Sequence, residues 1–331
     1  MNNLMNNKRT FVIAEAGIGH FGSLNLAKKL VLLAKKSGAD AIKFQAYKTE
    51  DLIDKNFSKW FKRYKSKEVD FNFYSKVKDF CKKHKIIFLL TPHTDSVLNW
   101  IEKLKIPIIK IGSGEIGNFE FLKKVIKLNK TMIVSTGMHD KVDLINLKNF
   151  FKKNKFHKVI FLKCNTTYPS KNENINLKNF LEFKKIFKDY YVGYSDHTNH
   201  DLAIIGSIFY GAKVIEKHIS VLFNVKNAQD WKVSFDLKKM QKLVLKIREI
   251  EIIKGKKNIF LTNIEKKSKI WASKSIYTKK EIKKNSKIKK SDLIFLRPGN
   301  GLSVKFYNKI LGKTSKYKLK KNKKVNFNDF K

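Results

Sequence analysis

Two short stretches carry the densest chemistry in this chain. In VGYSDHTNHD, Val192 to Asp201, an apolar run breaks off into Ser195, Asp196, His197 and Thr198. About twenty residues later AKVIEKHIS, Ala212 to Ser220, does the same and ends in Glu216, Lys217 and His218. Each histidine therefore closes a β-branched run. Two imidazoles delivered by neighbouring strands can share one divalent cation and leave coordination positions for water and a second ligand. A lone histidine is more often a satisfied core or surface residue, so it is the pairing at matching strand ends that favours a metal role. His20, His93 and His139 fall on loops of the same kind and are weaker candidates, whereas His84, His157 and His200 read as surface residues.

Other polar residues sit at equivalent places. Lys43 and Lys110, with Thr91, Ser113, Ser135 and Ser195, offer fixed cations and hydroxyls. That set suits a phosphate and a carboxylate held within one small ligand. Glu115, beside these donors in GSGE, could act as a general acid or base. The alternative is a structural carboxylate paired with Lys110.

The elements that must position these residues are legible from periodicity. Apolar, β-branched runs begin at Phe11 (FVIAEA), Ala41 (AIKFQ), Ile86 (IIFLLT), Ile108 (IIKIGS), Met132 (MIVST), Val159 (VIFLKC), Tyr191 (YVGYSD) and Lys213 (KVIEKH). Between them lie stretches of helical period such as SLNLAKKLVLLAKKSGA, with Ser23 placed as an N-cap and Gly38 near the C-cap. Strands alternating with helices mean right-handed βαβ units around a parallel sheet. Eight units in roughly 250 residues is the count and size of an α/β (β/α)8 TIM barrel. The strand ends then share one rim: Glu15, Lys43 with Gln45, Thr91, Lys110 with Ser113 and Glu115, Ser135, Asn165 with Thr166, Ser195 with His197, and Glu216 with His218. Eight polar strand ends converging on one face are hard to explain without a ligand. GIGHFG, Gly17 to Gly22, fits a dinucleotide-binding fingerprint, but the next strand ends in Lys43 and Gln45 rather than in the acidic residue that would hold a ribose.

Domain organisation and charge complete the picture. The βα rhythm stops near Gly255, which gives a barrel over 1–255, a lysine-rich linker over 256–270 and a small second domain over 271–331. The net charge of +44 is carried by lysine, since Arg9, Arg63, Arg248 and Arg297 are the only arginines. Phosphate-backbone binders lean on arginine's bidentate fork. Lysines spread over most helices read instead as solvated faces that steer anionic substrates. A nucleic-acid or anionic-polymer binder is the rival from another class. Cys81 and Cys164 have no metal-ligand or redox spacing and read as reduced, buried thiols. MNNLMNNKRTF lacks the apolar core of a signal peptide, and no apolar run approaches a membrane span. A cytoplasmic protein that uses neither nucleic acid nor membrane is expected.

AEAGIGHFGSL, AIKFQAYKTEDL, KIGSGEIGN, VSTGM, GYSDHT, GAKVIEKHI and the tail motif RPGNGLS, in that order, resemble the sialic acid synthase family, N-acetylneuraminate synthase and its relatives. The resemblance implies a barrel joined to a C-terminal antifreeze-like (SAF) domain. It implies condensation of phosphoenolpyruvate with an N-acylated hexosamine to a nine-carbon 2-keto-3-deoxy sugar acid and phosphate. His197 and His218 would hold the divalent metal, manganese by family habit, with magnesium or cobalt as alternatives. Lys43, Thr91, Lys110, Ser113, Ser135, Thr166 and Ser195 would hold phosphoenolpyruvate, with Glu15 and Gln45 beside them. Glu115 would manage protons as C3 attacks the open-chain aldehyde, water adds at C2 and phosphate leaves. Tyr168 and Asp230 would complete the sugar site. Arg297 would reach it from a partner subunit in a domain-exchanged homodimer. The chain departs from the family pattern at Gly19, where asparagine is common, and at Ala228-Gln229-Asp230, where Gly-Pro-Asp is usual. The segment from Asp54 to Val69 is also short for the family. The acceptor is accordingly N-acetylmannosamine or, as the alternative, a diacylated sugar of the legionaminic type.

Overall fold

The structure, a computed structural model, describes residues 9–226, 228, 230–255 and 258–331. Most of the N-terminal segment, Gln229 and the start of the linker lie outside the described residues.

Eight strands close into a parallel barrel in sequence order: β1 (Phe11–Gly17), β2 (Ala41–Ala46), β3 (Ile87–Pro92), β4 (Ile108–Ile111), β5 (Thr131–Ser135), β6 (Val159–Cys164), β7 (Tyr191–Asp196) and β8 (Val214–His218). Each is buried almost throughout, as strands covered on both faces must be. The helix Leu24–Lys36 follows β1; Ser23 caps it by accepting from Leu26 N (3.3 Å), and Gly38, at φ +83°, lets the chain leave it. GIGHFG forms the turn between β1 and that helix. A Cβ on Gly19 would lie 2.9 Å from the Ala16 carbonyl oxygen, so the glycine keeps this turn tight where a side chain would force a shift.

Side chains in a strand alternate between faces, and the two phases part company here. One phase (Val12, Ala14, Ile42, Phe44, Leu90, Ile109) packs in one large cluster with apolar residues of the surrounding helices. The other phase starts as a second apolar cluster built from Phe11, Ile13, Ala41, Leu89, Ile108, Ile133, Ile160 and Val214. Two residues further on, that same phase becomes Glu15, Lys43, Thr91, Lys110, Ser135 and Glu216, all buried. Continuing the apolar filling would gain about 1.5–3 kcal/mol per side chain. Charges are tolerated in its place only if they pair.

The described residues divide into two units, the first ending at Gly255. In the second, the helix Asn263–Ala272 crosses the stretch expected as a linker and starts on a Thr262–Glu265 capping box. β9 (Ser275–Thr278) and β10 (Leu293–Leu296) pair antiparallel over a small core that includes Ile276, Ile288, Ile310 and Phe330. No helix among the described residues is long and apolar enough to cross a membrane.

Candidate active site

The C-terminal ends of the barrel strands surround a cavity of about 360 Å³. At its base Glu216 on β8 stands between two lysines, 3.2 Å from Lys43 Nζ and 3.4 Å from Lys110 Nζ, and accepts from Ser195 Oγ at 2.7 Å. Lys43 also pairs with Glu15 (3.1 Å) and donates to Thr91 Oγ1 (3.2 Å), while Lys110 donates to Ser135 Oγ (2.7 Å). Gln45 Nε2 closes the network on Glu15 at 2.7 Å. Register explains the convergence: Glu15 lies opposite both Lys43 and His218 in the ladders, and Ser195 lies opposite Glu216.

The two carboxylates behave differently. Burial works against the charge of Glu216, but Lys110 and Lys43 hold it well below the usual carboxylate range. Burial pushes Glu15 up to about 7, with Lys43 opposing and Glu216 adding to the rise. Burial also lowers Lys110, whereas for Lys43 the pull of Glu15 and Glu216 overcomes burial and raises it. The base of the cavity thus holds two lysines around one firm anion, Glu216, and one carboxyl, Glu15, that can take a proton near neutrality.

Above this base stand His197 and His218, ring centroids 5.3 Å apart. Burial depresses both, so both imidazoles are neutral. His197 Nδ1 meets the Asn165 carbonyl, which assigns the proton to Nδ1. Its Nε2 lone pair therefore accepts from the Tyr168 hydroxyl at 2.9 Å. On the outward phase, Asp196 and Lys217 form a fully buried ion pair of 2.6 Å that ties β7 to β8 at the level of the two histidines. Two neutral rings, one oriented through its second nitrogen, fit a divalent cation. Among the described residues no third His, Cys, Asp or Glu completes a cluster, so the remaining ligands would have to come from water or a reactant.

Most of the expected residues meet here. Glu15, Lys43, Gln45, Lys110, Ser113, Ser135, Thr166, Tyr168, Ser195, His197, His218 and Asp230 all line the cavity. Thr91 reaches it through Lys43. Glu115 is outside the lining: it sits half-buried on the turn after β4 and accepts from Asn118 Nδ2 (2.7 Å). The Glu115–Lys110 pair weighed from sequence does not form, because Lys110 pairs with Glu216. His20 is no rim ligand either: it is buried against Phe44, Phe73 and Tyr74, and burial lowers it to about 4. His93 does line the cavity, and burial beside Lys43 and Lys110 keeps it uncharged, at about 3. Arg297 belongs to the second unit, where its guanidinium lies 5.3 Å from the Trp271 ring centroid.

Sequence reasoning missed the opposite wall. The helix Ser58–Lys65 and the residues after it bring Trp60, Arg63, Tyr64 and Lys67 to the cavity, facing Asp230 and Trp231. Burial raises Asp230, against the pull of Lys67 and Arg63. The available signal was Arg63, an arginine in a chain that otherwise uses lysine. Cys164 also lines the cavity, its sulfur 3.2 Å from Ser113 Oγ, and both cysteines are free and buried as expected.

Comparison with known proteins follows the same lines. Residues 30–259 match the NeuB family and residues 273–331 match the SAF domain. The chain is 36% identical over 328 residues to N,N'-diacetyllegionaminic acid synthase of Campylobacter jejuni, covering 94% of this chain and 98% of that one. It is 32% identical over 332 residues to pseudaminic acid synthase of the same species, covering 96% of each chain. Among solved structures, the N-acetylneuraminic acid synthetase of Leptospira borgpetersenii superposes with a TM-score of 0.74 at 30% identity, over 80% of this chain and 90% of that one. Barrel, strand-end cavity and both domain matches agree, and the chain belongs to the NeuB family.

Proposed function

We propose that this protein is a phosphoenolpyruvate-dependent nonulosonic acid synthase that joins phosphoenolpyruvate to an N-acylated hexosamine and releases phosphate. The observation that carries this reading is the buried base, with Lys43 and Lys110 around Glu216 and hydroxyls from Ser135 and Ser195 within hydrogen-bond distance. Two lysines fixed at the buried base of the cavity suit the carboxylate and phosphate of one small trianion. Family membership and the relatives named as nonulosonic acid synthases support the same reaction class.

In this reading Lys43, Lys110, Ser135 and Ser195 bind and orient phosphoenolpyruvate, with Ser113 and Thr166 at its edge. Glu15, poised near 7, holds a proton as the anion arrives, which leaves the lysines with net positive charge for it. Tyr168, Asp230 and Gln45 orient the acceptor so that its aldehyde carbon meets C3 of phosphoenolpyruvate. The new C3–C1 bond forms, water adds at C2, and the C2–O bond to phosphate breaks, giving the keto acid. Alignment of two held reactants supplies much of the acceleration. His197 and His218 would hold a divalent cation, manganese by expectation, which when bound would polarise the aldehyde oxygen. Arg297 and a domain-exchanged homodimer belong to the same proposal. Phosphate release from phosphoenolpyruvate, assayed with manganese and a panel of N-acyl hexosamines with mass analysis of products, tests it. Acceptor-dependent release with a keto acid product is expected, and release that ignores the acceptor would overturn it.

A further inference from the structure

Four lysines are buried on the barrel strands: Lys43, Lys110, Lys163 and Lys217. Lys43 and Lys110 pair with Glu15 and Glu216, and Lys217 pairs with Asp196. Lys163 follows Val159 and Phe161 on the outward phase of β6 and is 8% exposed. Among the described residues it alone of the four pairs with no carboxylate. Its Nζ donates to the Ile175 carbonyl (3.1 Å) and lies 5.7 Å from the Tyr194 ring centroid. A buried ammonium left with one carbonyl and a ring face lacks the counter-ion that burial calls for. Burial accordingly lowers its pKa.

Lys163 lines a cavity of about 540 Å³ bounded by the end of β6 and by residues of the helices Lys141–Lys153 and Asn179–Ile186. This cavity and the active-site cavity share Met138, Cys164 and Thr166 as lining, so the two meet at the end of β6. Its own carboxylates are committed elsewhere: Asp140 accepts from Asp143 N (2.9 Å) and Glu182 pairs with Lys141 (3.3 Å). One open cation beside two carboxylates suits a monoanion, such as a carboxylate, better than a phosphate dianion. The remaining polar lining suits hydroxyl groups. Asn165 spends its Nδ2 on the Asn174 carbonyl (2.7 Å) while its Oδ1 is buried without a partner, and Asn176, Asn179 and Thr167 offer further donors and acceptors. Leu144 and Phe183 supply an apolar face for C–H groups. We propose that this cavity is a second binding site, which takes a polyhydroxylated carboxylic acid with its carboxylate on Lys163 and its hydroxyls on the amides. Occupancy reaches the active site through Asn165, whose backbone carbonyl holds His197 Nδ1. The keto acid proposed above as product has this chemistry, and that link alone rests on the synthase reading.

The test uses the full chain without phosphoenolpyruvate and reads binding by titration calorimetry, with N-acetylneuraminate as the probe and its methyl ester and inorganic phosphate beside it. Lys163→Met should weaken the acid about 10- to 100-fold, the range for one lost charge-assisted contact. Its melting temperature should hold or rise, because no partner is left uncompensated. Asn179→Trp, which narrows the cavity from an exposed position on its wall, should weaken the acid as well. Lys110→Met, which disables the active-site cavity, should leave binding intact. The methyl ester should bind the wild type as poorly as the acid binds Lys163→Met. With nitrogen-labelled histidines, the acid should shift the His197 signal in the wild type and not in Lys163→Met. Binding lost in Lys110→Met and kept in Lys163→Met would place the acid in the active-site cavity and overturn the second site. Phosphate bound at Lys163 as tightly as the acid, or no binding of the acid at all, would overturn it too. A His197 signal that stays put while the acid binds would overturn the coupling through Asn165. Because binding is read without turnover, these failures leave the synthase reading standing, and loss of that reading would leave the site.

Discussion

The cavity has two walls of different make. The base stands on strands: Glu15, Lys43, Lys110, Ser135, Ser195 and Glu216 come from six strands of one closed ladder, each locked by a hydrogen bond or an ion pair. The facing wall stands on connections: Trp60, Arg63 and Tyr64 come from the short helix Ser58–Lys65, which buries no residue fully, and Asp230 and Trp231 come from the loop after β8. A barrel keeps its chemistry where register is fixed and varies its partner where loops can change length. In the function proposed above, the common reactant belongs to the rigid wall and acceptor choice to the looped one.

Breaking the rigid wall should cost most. Lys110→Met should lower kcat/KM by about 100- to 1,000-fold through phosphoenolpyruvate, the range for one preorganised electrostatic contact. The fold should persist, because Lys43 and Ser195 still satisfy Glu216. Steady-state kinetics alongside thermal melts would check both halves of that statement.

Next come the two carboxyls. With Glu15 near 7 inside the cavity and Glu115 outside the lining, Glu15→Gln should cost about 100-fold in kcat and remove a pH limb near neutrality. Glu115→Gln should cost less than about 10-fold by the same measure. The reverse order in paired pH–rate profiles would return proton handling to Glu115.

Stability separates the phases of the same strands. Lys217→Met leaves Asp196 buried without its partner and should lower unfolding free energy by about 3–5 kcal/mol in urea titrations. The smallest effect belongs to the core turn. His20 is held near 4 against an ordinary 6.5, so the unfolded chain takes its proton first as pH falls. Its contribution is present above pH 6.5 and is lost as pH falls toward 4, about 3 kcal/mol at most. His20→Asn should flatten the fall in stability across that window by one proton's worth, and an unchanged slope would mean that His20 titrates normally.

These contrasts also explain what the sequence could and could not convey. The strands were legible because burial on both faces demands β-branched runs, and the rim was legible because Lys43, Lys110 and Glu216 interrupt them. Histidine type alone could not distinguish His20 from His93, since both follow strand ends and only packing against Phe73 and Tyr74 turns His20 inward. Glu115 read as catalytic from its neighbours in GSGE, and in the structure it lies on the turn after β4 with Asn118 as its hydrogen-bond partner, a contact that sequence spacing alone does not reveal. The wall from Trp60 to Lys67 has no strand-end signature, because its placement depends on tertiary contacts such as that of Tyr64 with Tyr47 rather than on strand register. Arginine rarity pointed both ways: Arg63 lines the cavity, whereas Arg248 is tied to Asp40 and Glu251.

The most direct test of the central claim follows the bridging oxygen of phosphoenolpyruvate. With that oxygen isotopically labelled, the wild-type protein, manganese and an N-acylated hexosamine that serves as acceptor should yield labelled phosphate together with a nine-carbon keto acid, and neither without the sugar. Unlabelled phosphate, formed whether or not the sugar is present, would mean cleavage at phosphorus and would contradict carbon–carbon bond formation at this site.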